Sequence, residues 1–342
     1  MVGQARRRRG RRAASFVRRA VPSSHSLALL QALVVTFLWS TSWVLIKIGL
    51  HDLVLPPLTF AGLRYVLAAI VLLPLAVPAL RNVPGGVRAS GVLGPIALLG
   101  LLLYAVTQGA QFAALVHLPA VAVALALSTT PVLVALVGLR GHERPTALQV
   151  VGAVAVVAGA ALYFGPLKLP AGADIGLAIA VVGVIANAAS ALLGRRLARD
   201  HLPSAGGVLG LTALSMAVGS AVLLASGLLI EGPPRLPAEA WLIIGWLALV
   251  NTAFAFTLWN HTLRTLTAVE SSVMNNLMLI QIAILAWFFL GENLDARQLV
   301  GLTIALAGIL AVQLRAPGRP AARPVAAERD SAGAATGDAP PP

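Results

Sequence analysis

The chain has 342 residues, of which 58% are hydrophobic and only 11% charged, with a mean hydropathy of +0.87. A soluble domain carries about 25% charged residues, so this composition excludes a water-soluble body of such a size. The net charge is +13 and cysteine is absent, which excludes disulfide frameworks, thiolate metal sites and cysteine catalysis.

Residues 1–27 hold eight arginines and no acid. No aromatic residue interleaves with the run Arg6–Arg12, so nucleic acid is not the expected partner. The run reads as a cytoplasmic anchor attracted to anionic lipid, at about 1 kcal/mol per basic residue near the surface. Its composition predicts a disordered tail. The apolar segment that follows is too long for the h-region of a signal peptide and is expected to be retained.

Ten apolar blocks then follow, at about 29–50, 57–78, 91–114, 119–139, 147–165, 174–194, 206–230, 240–262, 268–290 and 296–314. A helix needs about 20 apolar residues to cross a bilayer, so each block is a candidate span. Short loops make consecutive helices antiparallel neighbours. Residues 315–342 are rich in Pro, Ala, Gly and Arg and predict a second disordered tail. With the N-terminus in the cytoplasm, the inside loops hold Arg81, Arg88, Arg140, Arg144, Arg195, Arg196, Arg199 and Arg264. The outside loops hold only Lys168, Arg235 and Arg297. The positive-inside bias therefore predicts that both termini are cytoplasmic.

The chain repeats itself. Leu-x-Ala-Val occurs at 118–121 and 266–269, Glu at 143 and 292, and Ala-x-Gln-x-Val-Gly at 147–152 and 296–301. Five spans per copy force the copies into opposite orientations. The expected fold is an all-α integral membrane protein of ten transmembrane helices, arranged as two inverted five-helix repeats at 28–165 and 174–314. Small residues at four-residue spacing, such as Ser215/Gly219, Ala155/Gly159 and Gly301/Ala305, predict close helix packing and leave a homodimer open.

A charge inside the bilayer is expensive, so polar residues within the spans are the functional candidates. Thr36, Ser40, Trp43 and Lys47 fall on one face of the first span and are expected to line a cavity. Arg64 is placed to bind a carboxylate or phosphate, or else to pair with Asp52. Tyr104, Gln108 and Gln111, with Thr107 beside them, form a second polar face that serves either substrate or interhelical hydrogen bonds. Glu270, Met274, Leu277 and Gln281 share a face of the ninth span. Glu270 is the candidate coupling residue, with a pKa expected to be raised by desolvation; a structural ion pair is the alternative. Asn187 is a further cavity candidate, and Trp259 and His261 are expected at an interfacial aromatic belt.

Several stretches resemble the EamA branch of the drug/metabolite transporter superfamily. They are Phe37-Leu-Trp-Ser-Thr-Ser-Trp-Val-Leu-Ile-Lys47, Pro57-Leu-Thr-Phe-Ala-Gly-Leu-Arg-Tyr65, Val250 to His261, Leu266-Thr-Ala-Val269 and Phe289-Leu-Gly-Glu-Asn293. The resemblance implies ten helices, cytoplasmic termini and export or exchange of small metabolites. The chain departs from the pattern where Arg140-Gly-His-Glu-Arg replaces Leu-Gly-Glu. It departs again where Thr130-Pro131 and Met278-Leu279 replace Glu-Pro, so no role of that glutamate is carried over.

The leading reading is a secondary transporter of a small metabolite such as an amino acid or organic anion, working by alternating access, with proton coupling left open. A lipid-linked-substrate flippase is the alternative. A membrane-embedded transferase would need clustered His, Asp or Glu, and the six histidines are scattered. No enzyme activity, cofactor or metal is expected. No Walker A pattern is present, so ATP does not drive transport directly.

Overall fold

The computed structural model describes residues 24–81, 91–138, 146–164, 172–200 and 205–313. The basic run Arg6–Arg12, the C-terminal tail, Arg88, Arg140, Glu143, Arg144 and Lys168 lie outside them. Every regular element among the described residues is helical. They are α1 (Ser24–His51), α2 (Pro57–Arg81), α3 (Leu93–His117), α4 (Ala120–Ser128), α5 (Thr130–Gly138), α6 (Ala147–Phe164), α7 (Ala173–Asp200), α8 (Ala205–Glu231), α9 (Ala238–Thr262), α10 (Ala268–Leu290) and α11 (Ala296–Gln313). Eight helices are long and apolar enough to cross a membrane, and Ala120–Val134 and Ala296–Val312 are shorter apolar helices.

Two boundaries differ from expectation. Helix α1 begins at Ser24, so the first helix takes in the last residues assigned to the basic tail. Helix α7 runs on to Asp200, which places Arg195, Arg196 and Arg199 on its last turns instead of in a loop.

Large apolar side chains cover the outside, among them Val151, Val154, Val157, Leu242, Trp287 and Phe288. Polar side chains such as Thr36, Ser40, Arg64 and Asn251 are buried inside. That distribution is what a hydrocarbon solvent requires, since lipid rewards apolar surface and leaves polar groups unsatisfied.

Close packing is set by glycines that face each other across helices. A Cβ on Gly152 would lie 2.7 Å from the Gly308 carbonyl oxygen, and one on Gly159 would lie 2.5 Å from the Ala305 nitrogen, so α6 and α11 touch backbone to backbone. A Cβ on Gly62 would meet the Leu224 Cα at 2.6 Å, which fixes α2 against α8 in the same way. Gly219 meets the Gly100 carbonyl, joining α8 to α3. The small-residue spacings read from the sequence are thus used within the chain.

Three helices are interrupted. Leu101–Gln108 in α3 and Leu249–Phe254 in α9 are π-helical, and their first residues stand 148 positions apart. In each, a threonine hydroxyl donates to the carbonyl five residues back, Thr107 to Leu102 at 2.7 Å and Thr252 to Leu247 at 2.8 Å. Short π segments of this kind occur often at functional sites. The third interruption separates α4 from α5 at Thr129. Pro131 has no N–H to give the Leu127 carbonyl. The Thr130 hydroxyl donates to that carbonyl instead, at 2.7 Å.

Gly159→Ala is expected to destabilise the fold by about 1–3 kcal/mol, because neither backbone can retreat. Gly94→Ala, with nothing within 4 Å, should be neutral. Thermal unfolding of both variants in detergent checks this; equal midpoints would refute the account of α6 against α11.

Candidate functional site

The two ends of the bundle are built differently. At one end, glutamates from late helices cap the starts of early ones. Glu231 accepts from the Leu58 and Thr59 amides, both at 2.8 Å, and from the Thr59 hydroxyl at 2.7 Å. Glu292 accepts from the Ala120 amide at 2.7 Å and the Val121 amide at 3.3 Å. A carboxylate on a helix N-terminus satisfies amides that have no helical partner and sits favourably on the dipole. Beside Glu292 lies a cavity of about 490 Å³ lined by Lys47, His51, Asp52 and His117. Lys47 Nζ lies 3.0 Å from His51 Nε2, one turn along the same helix.

A second cavity, of about 310 Å³, lies between helices that are far apart in sequence. Trp43 enters from α1, Thr107, Gln108 and Gln111 from α3, and Asn187 from α7. The broken segment Ser128–Pro131 forms one wall, and Asn275, Asn276, Met278, Leu279 and Ile282 of α10 form another. The break is what makes that wall polar. Released from the helical ladder, Thr130 accepts a hydrogen bond from Asn187 Nδ2 at 2.9 Å. The Tyr65 hydroxyl donates to Gln108 Oε1 at 2.6 Å. We name this second space the central cavity.

The residues predicted from sequence divide sharply. Trp43, Gln108 and Gln111 line the central cavity, as does Asn187. Lys47 lines the cavity at the Glu292 end instead. Thr36 and Ser40 line neither of these two cavities. The Ser40 hydroxyl lies 2.9 Å from Gln281 Oε1 as its donor, and Gln281 Nε2 donates to Thr36 Oγ1 at 3.4 Å. The two expected polar stripes therefore face each other and join α1 to α10.

Tyr104 is also corrected. It is buried at 2% exposure and packs against the Tyr65 ring at 5.5 Å. Tyr104 and Gln108 both meet Tyr65, so the shared face holds, but Tyr104 does not line the central cavity. Arg64 is 5% exposed and lies off both cavities. Its Nε–H donates to the Thr252 hydroxyl at 3.1 Å, and its guanidinium lies over Tyr65 at 4.9 Å. Asp52, its expected partner, lines the Glu292-end cavity instead. Trp259 stacks on Trp39 at 5.3 Å and packs with α1, so its contact is with the bundle.

Glu270 departs most from expectation. It precedes the apolar span Val273–Leu290 and closes a capping box at the start of α10. Its carboxylate accepts from the Thr267 amide at 2.8 Å and the Thr267 hydroxyl at 2.9 Å, and lies 3.1 Å from His25 Nε2. The expected cavity position and raised pKa are both overturned. The hydrogen bonds from the Thr267 backbone and side chain hold this carboxyl below its ordinary value near 4.5, assisted by His25. The partner beside this carboxylate is His25, whose ring carries a charge only when protonated. The signal was legible in the chain, since Thr267-Ala-Val-Glu270 ahead of an apolar run is a capping-box pattern.

Sequence reasoning missed Ser128, Thr130, Asn275 and Asn276. Pro131 behind three hydroxyl residues was the available sign of a broken, polar-walled helix.

The profile of the EamA-like transporter family matches this chain twice, over residues 26–165 and 174–314. An uncharacterized transporter of Archaeoglobus fulgidus is 29% identical over 287 residues, covering 80% of this chain and 92% of that protein. The uncharacterized transporter YoaV of Bacillus subtilis is 24% identical over 292 residues, again 80% and 92%. One solved structure, titled only as a crystal structure of a protein, covers 84% of this chain and 98% of its own, with a TM-score of 0.57. At 18% identity it supports the fold alone.

The capping box has a definite pH signature. Because the folded pKa of Glu270 is lowered, its contribution is fully present above the ordinary carboxyl value near 4.5. It is lost as pH falls through the lower, folded value. Protection of the amides of 267–271, taken relative to their intrinsic exchange rate at each pH, should therefore fall on acidification, and Glu270→Gln should remove that dependence. An unchanged acid profile in the variant would refute the assignment.

Proposed function

The chain belongs to the EamA-like transporter family, and from that premise we propose that it is a secondary transporter of a small polar metabolite, working by alternating access around the central cavity. Membership and the transporter relatives make it a multi-pass membrane transporter. The single observation that carries the finer reading is the cavity, lined in part by amides and hydroxyls, at the α4/α5 break. Secondary transporters place their sites near the midplane at interrupted helices, where freed backbone and polar side chains replace water.

We read the chain as two inverted halves, 28–165 and 174–314. Two findings support this. The π segments in α3 and α9 share the 148-residue offset of the Leu-x-Ala-Val repeat. The family profile also matches twice. The ten spans then comprise the eight long helices and the two shorter ones. The protein would sit in the cytoplasmic membrane with both termini inside, by the positive-inside bias. Without an ATP motif, direction follows the gradient, so a metabolite concentrated inside is exported.

In this reading Trp43, Gln108 and Gln111 contact the solute. Lys47 serves the outer vestibule, Arg64 positions Tyr65, and Thr36, Ser40 and Gln281 hold α1 to α10. The His25–Glu270 contact closes the inner end. Glu270 caps the start of α10 and is not among the residues lining the central cavity, so coupling is not assigned to it.

Purified protein in liposomes provides the test. Gln111→Leu and Trp43→Ala are expected to lower solute flux by tenfold or more with the fold intact, whereas Thr303→Val, exposed on α11, should leave it unchanged. Equal flux in all three would remove the cavity from the transport path. The absence of native cysteines makes topology directly accessible. Single cysteines introduced in the two tails should react with an impermeant maleimide only after permeabilisation; labelling of the C-terminal one in intact cells would break the ten-span arrangement.

A further inference from the structure

We propose that the central cavity selects a solute of no net charge, with hydrogen-bond donors and acceptors at one end and an apolar surface at the other. This rests on the transporter reading above and names the substrate class of that site.

The first ground is the lining. It holds amides, hydroxyls and apolar groups, and no Asp, Glu, Lys, Arg or His among the described residues. The charged groups nearest in the fold stand off the lining, with Lys47, His51, Asp52 and Glu292 at one end, His25 and Glu270 at the other, and Arg64 buried against Tyr65. A charged solute entering the cavity would exchange its hydration for neutral dipoles with no counter-ion, deep in a low-dielectric body.

The second ground is the state of the polar groups. The Tyr65 hydroxyl occupies Gln108 Oε1, which leaves the Gln108 amide N–H groups as donors. Asn187 has committed Nδ2 to Thr130, which leaves its Oδ1 as an acceptor. The hydroxyls of Thr107 and Ser128 donate to Leu102 and Ala124, so only their lone pairs remain. Gln111 is 9% exposed and makes no side-chain hydrogen bond among the described residues, so it offers both functions. A solute with both donors and acceptors satisfies these groups, and one that is purely a donor or purely an acceptor leaves part of the wall unpaired.

The third ground is size and the remaining wall. About 310 Å³ is at the small end of ligand pockets. Trp43, Leu127, Met278 and Ile282 supply an apolar side for the rest of the molecule.

The experiment uses two series whose members differ in net charge, on the full-length protein in liposomes at equal concentrations. One is L-glutamine, L-glutamate and L-lysine; the other is uridine and uridine monophosphate. The net-neutral member of at least one series should move tenfold or more faster than its charged counterparts. Gln111→Glu, which keeps the shape and adds a carboxylate, should raise L-lysine flux relative to L-glutamine. A charged counterpart moving as fast as the neutral member would overturn the inference and leave transport standing. Flux of no member above protein-free liposomes, and no solute-dependent thermal shift, from monodisperse protein would sink the transporter reading and this inference with it.

Discussion

Inside a bilayer no water is available to a backbone carbonyl or amide, so each such group must find its partner within the protein. The polar residues of this chain are spent chiefly on that requirement. Thr130 takes the carbonyl that Pro131 abandons. Thr107 and Thr252 fill the two π segments. The Asn251 amide nitrogen lies within hydrogen-bond distance of the Leu38 carbonyl and the Thr41 and Ser42 hydroxyls of α1, with two N–H groups to share among them. Glu231 and Glu292 take the open amides of α2 and α4. A polar residue within a span is thus first a repair of the backbone, and only the surplus is free to meet a solute.

That surplus gathers where the helical ladder is broken. The pairs α2–α8 and α6–α11 approach through glycines, with backbones in contact and little room for adjustment. The π segments and the α4/α5 break lie elsewhere, in α3, α9 and the rod that walls the cavity. The arrangement joins tightly packed pairs to interrupted helices, and the central cavity lies against two of the three interruptions.

The misread residues each have a physical reason. Glu270 was read as an acid inside a span because an apolar run follows it, but its nearest donors are the Thr267 amide and hydroxyl at the helix start. A capped carboxylate at a helix N-terminus is stabilised in its charged form, so the expected direction of its pKa reverses. Thr36, Ser40 and Gln281 were correctly placed on helix faces, and yet those faces meet each other. Periodicity gives the side of a helix that avoids lipid; it does not say whether a cavity or another helix lies opposite. Tyr104 keeps the face of Gln108, but its ring is buried against Tyr65 and so does not reach the cavity.

Composition and block length by themselves determined that this is a helical membrane protein, because transfer into hydrocarbon depends on the residues in a span and little on their neighbours. The repeated Leu-x-Ala-Val and Ala-x-Gln-x-Val-Gly motifs carried the duplication, and motif spacing carried the family. Gln108, Gln111, Trp43 and Asn187 were legible as cavity candidates because each is polar or aromatic deep in a span. Only the tertiary structure decided which polar groups are already satisfied and which remain open. That depends on side chains from α1, α3, α7 and α10 meeting across long sequence separations, and on breaks in the helical period that a regular 3.6-residue ruler passes over.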